Sequence, residues 1–193
     1  MATDISTLPL VTDDPAPRLW TRDEYYQLAE HGYFDGQRVE LIEGKIVVMS
    51  PQGINHVVAV HLIVKALEKA AGDAYWVRLQ APISLSNLSE PEPDITVVPG
   101  APRDYHETPR TTLLAVEVGD STRGYDLRRK AKLYAASAGV PEYWVVDLID
   151  RVLYVMRQPQ NGEYQSVTRL ELSENVQPGS FPCGAIQVAD LFP

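Results

Sequence analysis

Glu117 and Lys130 have the most chemistry to account for in this sequence. Both lie in the stretch LLAVEVGDSTRGYDLRRKAKLYAASAGVPEYWVVD, Leu113 to Asp147. Residues 113–118 form an apolar run of β type interrupted only by Glu117, and such a run predicts a buried strand. A carboxylate inside a buried strand is costly unless it is paired, protonated or bound to a cation. Loop chemistry follows over Gly119–Gly124. Helical spacing then runs over 126–138, with Leu127, Tyr134 and Ala138 on one face and Lys130 on the same helix. Gly139 is placed to cap that helix in the left-handed conformation, and Pro141 blocks its continuation. A second strand follows over 143–148. In the plain reading Glu117 faces water and Lys130 pairs with Asp126, one helical turn earlier. In the sharper reading Glu117 binds a metal and Lys130 reaches the same site.

The elements that would position these groups belong to a chain of 193 residues, 45% hydrophobic and 22% charged. That suits one domain with a sizeable core. Residues 1–18 are polar, carry prolines and show no periodicity, so they read as a flexible tail, leaving 19–193 as the domain. No apolar run is long enough to span a bilayer, and the N-terminus lacks the parts of a signal peptide. The single cysteine, Cys183, excludes an internal disulfide framework and a cysteine-built zinc site. These features suit a cytoplasmic protein. A net charge of −9 argues against a generally basic nucleic-acid binder. It leaves room for an enzyme that reaches DNA through a local basic patch and a bound divalent metal.

In chain order, Thr21-Arg-Asp-Glu24 has the form of a capping box, predicting a short helix to about Glu30 with Tyr25 and Leu28 inward. RVELIEGKIVVMS, 38–50, predicts a hairpin turning at Glu43-Gly44, with Glu40 inside its first strand. Asn55 is placed to cap a long amphipathic helix to Ala71, apolar at Val57, Val60, Val64, Leu67 and Ala71. His56 and His61 near its start lack the spacing of a histidine metal site. His56 could still approach a phosphate or a site carboxylate. A strand is expected over 75–85, and a short one over 94–98 that opens on Asp94. Residues 151–156 and 164–172 predict a second hairpin, around Gln160-Asn161-Gly162. The C-terminal tail, 181–193, carries apolar anchors that should pack back onto the domain, with Cys183 a packing residue. The sequence holds no internal repeat, phosphate-binding glycine loop, dinucleotide fingerprint or GxSxG elbow.

Three acids thus fall in strands or at strand starts: Glu40, Asp94 and Glu117. The spacing of the last two allows them to lie side by side on paired strands. Converging carboxylates repel and are stabilised by a hard divalent cation such as Mg2+. Such a cation can polarise a phosphodiester and help generate hydroxide. A nearby lysine can hold the attacking water or neutralise charge in the transition state.

From Thr21 through Asp147, the order VELIEGKIVVMSP, PEPDITVV and LLAVEVGDSTRGYDLRRKAKLYAASAGVPEYWVVD resembles the Uma-two family of restriction endonucleases, in the PD-(D/E)XK nuclease superfamily. The resemblance implies an α/β nuclease core, a central mixed β-sheet flanked by helices, with an N-terminal helix and β-hairpins added. It matches Asp94 to the PD aspartate and Glu117 to the acid of the (D/E)XK element. The sequence departs from the superfamily pattern at the lysine: Gly119 stands two residues after Glu117, and Lys130 on the next helix takes the lysine's place. Tyr134, one helical turn on, can face the same site. Lys132 points elsewhere, about 200° around the helix. Glu40 matches the acid of the first hairpin, as a further ligand or water-orienting base, and Val118 would offer only its backbone carbonyl.

The expectation is a Mg2+- or Mn2+-dependent DNA endonuclease in which Asp94 and Glu117 bind the metal, Glu40 assists and Lys130 positions or activates water. Gln80, Arg123 and Tyr134 are the further substrate-contacting candidates. Arg128 and Arg129 complete a basic cluster that is either a phosphate contact or a solvated helix face. Two alternatives stand beside it: a catalytically silent interaction module with the same fold, and a phosphohydrolase of small nucleotides. A homodimer is hinted at by the apolar tail, and no membrane association is expected.

Overall fold

The structure, a computed structural model, describes residues 16–120, 123–137 and 139–193. Most of the expected tail and Ala138 lie outside the described residues. Thr21 starts the first helix, α1 (Arg22–Glu30), through the expected capping box: its N–H donates to Glu24 Oε2 at 2.9 Å and its hydroxyl accepts from Glu24 N at 3.3 Å. Tyr25 is the buried residue of this helix.

Strands β1 (Val39–Ile42) and β2 (Lys45–Val48) form the first hairpin. Its turn residues, Glu43 and Gly44, have φ of 49° and 74°. That is the mirror-image turn whose twist matches paired strands. All four residues of β1 are buried, so both faces of this strand are covered. The hairpin is a separate two-stranded sheet, joined to the 80–94 loop by a bridge between Leu41 and Glu90.

The long helix α2 (Ile54–Ala71) begins two residues earlier than expected, with Gly53 as its N-cap and Asn55 already inside. Its buried stripe is Ala59, Val60, Ile63 and Leu67, and Val57 stays 37% exposed. Both sides of the helix are apolar here, so hydrophobic spacing alone could not orient it. Strand β3 (Tyr75–Leu79) stops well short of residue 85. Gln80 follows with φ of 42°, a left-handed conformation that ends the extended run.

The remaining strands are β4 (Ile95–Pro99), β5 (Leu114–Gly119), β6 (Glu142–Asp147), β7 (Val152–Gln160) and β8 (Glu163–Leu170). With β3 they make one six-stranded sheet in the order β3-β4-β5-β6-β7-β8, parallel only between β5 and β6. This is the mixed sheet expected. The β7–β8 hairpin turns on Asn161 and Gly162, with φ of 53° and 78°. The β5–β6 crossover consists of α3 (Arg123–Tyr125), a π-helical turn over Asp126–Lys130, and α4 (Ala131–Ala136). The spacing read as one regular helix therefore contains an irregular turn. The chain returns beside β5 through a tight approach: Thr112 N donates to Gly139 O at 2.7 Å. A Cβ on Gly139 would stand 2.6 Å from Arg110 O, so this contact excludes a side chain there.

Side-chain alternation gives the sheet two cores. Leu114, Val116 and Val118 of β5 and Trp144 and Val146 of β6 face α2. Ala115, Tyr143 and Val145 face the α3–α4 crossover with Tyr134 and Ala135. The first core is closed by the C-terminal tail, whose Phe181, Ile186, Val188, Leu191 and Phe192 are all buried in it. The anchors that hinted at a dimer are therefore spent inside the chain. Strands β9 (Asn175–Val176) and β10 (Ile186–Gln187) pair within this tail. Among the described residues no helix is long and apolar enough to cross a membrane.

Candidate active site

The period of two that sends Val116 and Val118 toward α2 sends Glu117 to the opposite face, under the crossover helix. The register of β4 on β5, Ile95 beside Val116, brings Asp94 next to Glu117. The β1–β2 hairpin adds Glu40 from a third direction. All three acids are buried, at 1%, 6% and 4% exposure for Glu40, Asp94 and Glu117.

Lys130 joins them. It is 1% exposed, and its ammonium donates to Glu40 Oε1 at 3.1 Å and to Glu117 Oε1 at 2.9 Å. The surface pair with Asp126 is thus not the main contact of this side chain. The Tyr134 hydroxyl donates to the same Glu117 oxygen at 2.9 Å. Lys130 and Tyr134 share a face as helical spacing requires, and Lys132 points away to Glu163 at 3.6 Å. The π-helical turn ends on Lys130. Such turns carry one extra residue, re-aim side chains and recur at functional sites.

Asp94 is held by three donors. Val118 N reaches Oδ2 at 2.9 Å, His56 Nε2 lies 3.1 Å from Oδ2, and Gln80 Nε2 reaches Oδ1 at 3.3 Å. Burial opposes the charged form of Asp94. The hydrogen bond and charge of His56, the Val118 N–H and Lys130 outweigh burial and hold the carboxyl below its usual range. Glu117 goes the other way. Burial pushes it well above the usual carboxylate range against the pull of Lys130, and Asp94, Asp126 and Glu40 add to the rise. Burial works against the charge on Lys130, but Glu117, Glu40 and Asp126 outweigh it and hold the ammonium above the ordinary lysine range.

Glu40, His56, Asp94, Glu117, Val118 and Lys130 line a cleft of about 60 Å³, together with Arg38, Glu92, Asp120, Asp126 and the 49–52 segment. Its walls carry six carboxylates against Arg38, Lys130 and His56. Glu40 Oε2 and His56 Nδ1 are buried there without a hydrogen-bond partner. An excess of carboxylates, one with an unsatisfied oxygen, is a donor set suited to a hard divalent cation. Among the described residues no three His, Cys, Asp or Glu side chains converge tightly enough to hold a metal by themselves. Two carboxylates suffice for Mg2+, which commonly completes its shell with water and substrate phosphate oxygens. The residues present fit such an ion.

A family described as "Uma2: Putative restriction endonuclease" matches residues 22–189. The chain belongs to the Uma2 family. Among solved structures it is similar to a putative nuclease of the DUF820 group from Anabaena variabilis ATCC 29413. The two share 20% identity and a TM-score of 0.68, over 89% of this chain and 97% of the other. At that identity the likeness is one of fold: the mixed sheet with flanking helices is common to both. No curated protein matches the chain.

In this Uma2 chain the residues expected from sequence are brought together at Glu40, Asp94, Glu117, Lys130 and Tyr134, with Gln80 touching Asp94. Arg123 is placed elsewhere: its guanidinium binds Asp147 at 3.1 Å and Asp150 at 2.6 Å, outside the cleft. Arg129 pairs with Glu43 at the surface. His56 has a larger part than its sequence context suggested, Glu92 and Asp120 join the cleft unannounced by the sequence, and Asp126 was legible only as a partner of Lys130. Only Asp126 carried a usable signal, its position one turn before Lys130.

Proposed function

We propose that this chain is a divalent-metal-dependent DNA endonuclease that hydrolyses phosphodiester bonds, with Asp94, Glu117, Glu40 and Lys130 as its working groups. The observation that carries this reading is the buried ammonium of Lys130 between Glu40 and Glu117, beside the Asp94 carboxylate. Mg2+ or Mn2+ held by Asp94 and Glu117 would polarise the phosphodiester and acidify a water. Lys130 donates toward the attacking water or a non-bridging oxygen and neutralises charge there. Glu40 Oε2, an acceptor with no partner, takes the proton the water loses. The water oxygen bonds to phosphorus as the ester P–O bond breaks, and the departing oxygen takes a proton from solvent. Tyr134 keeps Glu117 oriented through its hydroxyl.

The size of the cleft supports a polymer substrate. About 60 Å³ is far below the roughly 300 Å³ of pockets that enclose small molecules, so the cleft does not enclose a whole nucleotide. The test is nicking of supercoiled plasmid with Mg2+ or Mn2+, by wild type, Asp94→Asn and Lys130→Met, each checked for folding by circular dichroism. Cleavage by wild type alone is expected. Cleavage retained in both folded variants, or hydrolysis of free nucleotides in place of DNA, overturns the reading.

A further inference from the structure

We propose that His56 and Gln80 are positioning residues that clamp the Asp94 carboxylate in one orientation toward the divalent cation of the proposed reaction. The inference rests on that metal-dependent reading and assigns the cation contact to Asp94 Oδ1. Asp94 stands immediately before β4, where a carboxylate could turn freely. Three elements stop it: α2 through His56, the residue after β3 through Gln80, and β5 through Val118 N. Gln80 grips at two points, since its backbone N also donates to Asp94 O at 2.9 Å.

Both side chains hold this arrangement at a local cost. Gln80 adopts φ of 42°, where a residue with a side chain is strained. His56 buries Nδ1 without a partner while Nε2 meets Asp94. Local strain and an unpartnered polar atom converging on one carboxylate mark a functional constraint. A carboxylate has about four acceptor sites, two on each oxygen. His56 and Val118 fill both on Oδ2, and Gln80 fills one on Oδ1. The remaining site, on Oδ1, is the one left for a cation. Gln80 thereby takes a supporting role in place of the substrate contact expected from sequence.

The experiment is a calorimetric titration of Mn2+ into the full chain, as wild type, Asp94→Asn, His56→Ala, His56→Gln and Gln80→Gly, with thermal melts of each. Removing a group that orients a metal ligand typically weakens metal affinity about 10- to 100-fold. His56→Ala and Gln80→Gly should each show such a loss. His56→Gln should stay near wild type, because the glutamine amide nitrogen can take the place of Nε2. Gln80→Gly also relieves the backbone strain, so its loss of affinity should come without a lower melting temperature. Wild-type affinity in His56→Ala and Gln80→Gly, with binding abolished by Asp94→Asn, overturns the clamp and leaves the metal reading standing. His56→Gln as weak as His56→Ala overturns the donor role. No Mn2+ binding by wild type overturns both the clamp and the metal reading.

Discussion

At the scale of single residues, Lys130 is the centre of a buried charge network. One ammonium serves two carboxylates at 1% exposure, so removing it leaves Glu40 and Glu117 without their shared donor. Breaking a buried pair from one side typically costs about 3–5 kcal/mol. Lys130→Met should lose stability of that order in denaturant unfolding. Glu40→Gln combined with Lys130→Met should lose less than the sum of the two single variants, because the charges are removed together. Tyr25 makes a separate prediction. Its hydroxyl donates to Val39 O at 3.0 Å, and burial, with Glu92, Glu40 and Glu90 nearby, pushes the phenol from 10.0 up to about 12. A raised pKa means the folded state keeps a proton that the unfolded chain gives up. The associated stability is complete below pH 10 and is lost as pH rises through about 12. Tyr25→Phe should cost about 1 kcal/mol at neutral pH for the lost hydrogen bond. It should also lose less stability than wild type between pH 10 and pH 12, read from urea unfolding.

At the scale of elements, the π-helical turn at Asp126–Lys130 decides where the lysine arrives. Removing one residue from an extra-residue turn lets it relax to regular α-helix, and each residue of an α-helix turns about 100°. Deleting Arg128, an exposed residue of that turn, should preserve helical circular dichroism and abolish plasmid nicking. Full nicking by the deletion variant would mean that the turn does not set the lysine's aim. The neighbouring elements have opposite demands. β5 must be apolar on the α2 side and carry Glu117 on the other, which explains why one acid interrupts an otherwise apolar strand.

At the scale of the whole molecule, the C-terminal tail completes the core under α2. Phe181, Ile186, Val188, Leu191 and Phe192 are each at most 6% exposed and pack with Trp144 and Val146. Burying a large apolar side chain contributes about 1.5–3 kcal/mol, so the five together match the roughly 5–15 kcal/mol that holds a typical domain together. The tail is also tied by Glu142, which accepts from Gly179 N at 2.7 Å. A chain ending at Pro178 should therefore fail to fold, seen as loss of a cooperative thermal transition. A retained transition near the wild-type temperature would show that the tail only covers an already stable core.

The kinds of element and the identity of the acids are local properties of the amino-acid string. Period-two alternation, the Thr21–Glu24 box and the Glu43-Gly44 and Asn161-Gly162 turns act between near neighbours, so they are legible in a linear string. The residues Glu40, Asp94, Glu117 and Lys130 were legible for a different reason: a charge in an apolar run is conspicuous, and the resemblance ordered them. Local signals misjudged the end of β3, the start and buried face of α2, and the regularity of the crossover helix. There, contacts with distant strands outweighed local preference. That His56 and Gln80 grip Asp94, that Arg123 turns to Asp147 and Asp150, and that the tail belongs to the core are consequences of the folded packing. Each joins segments tens of residues apart, and such proximity is set by strand register and packing, which no local spacing encodes.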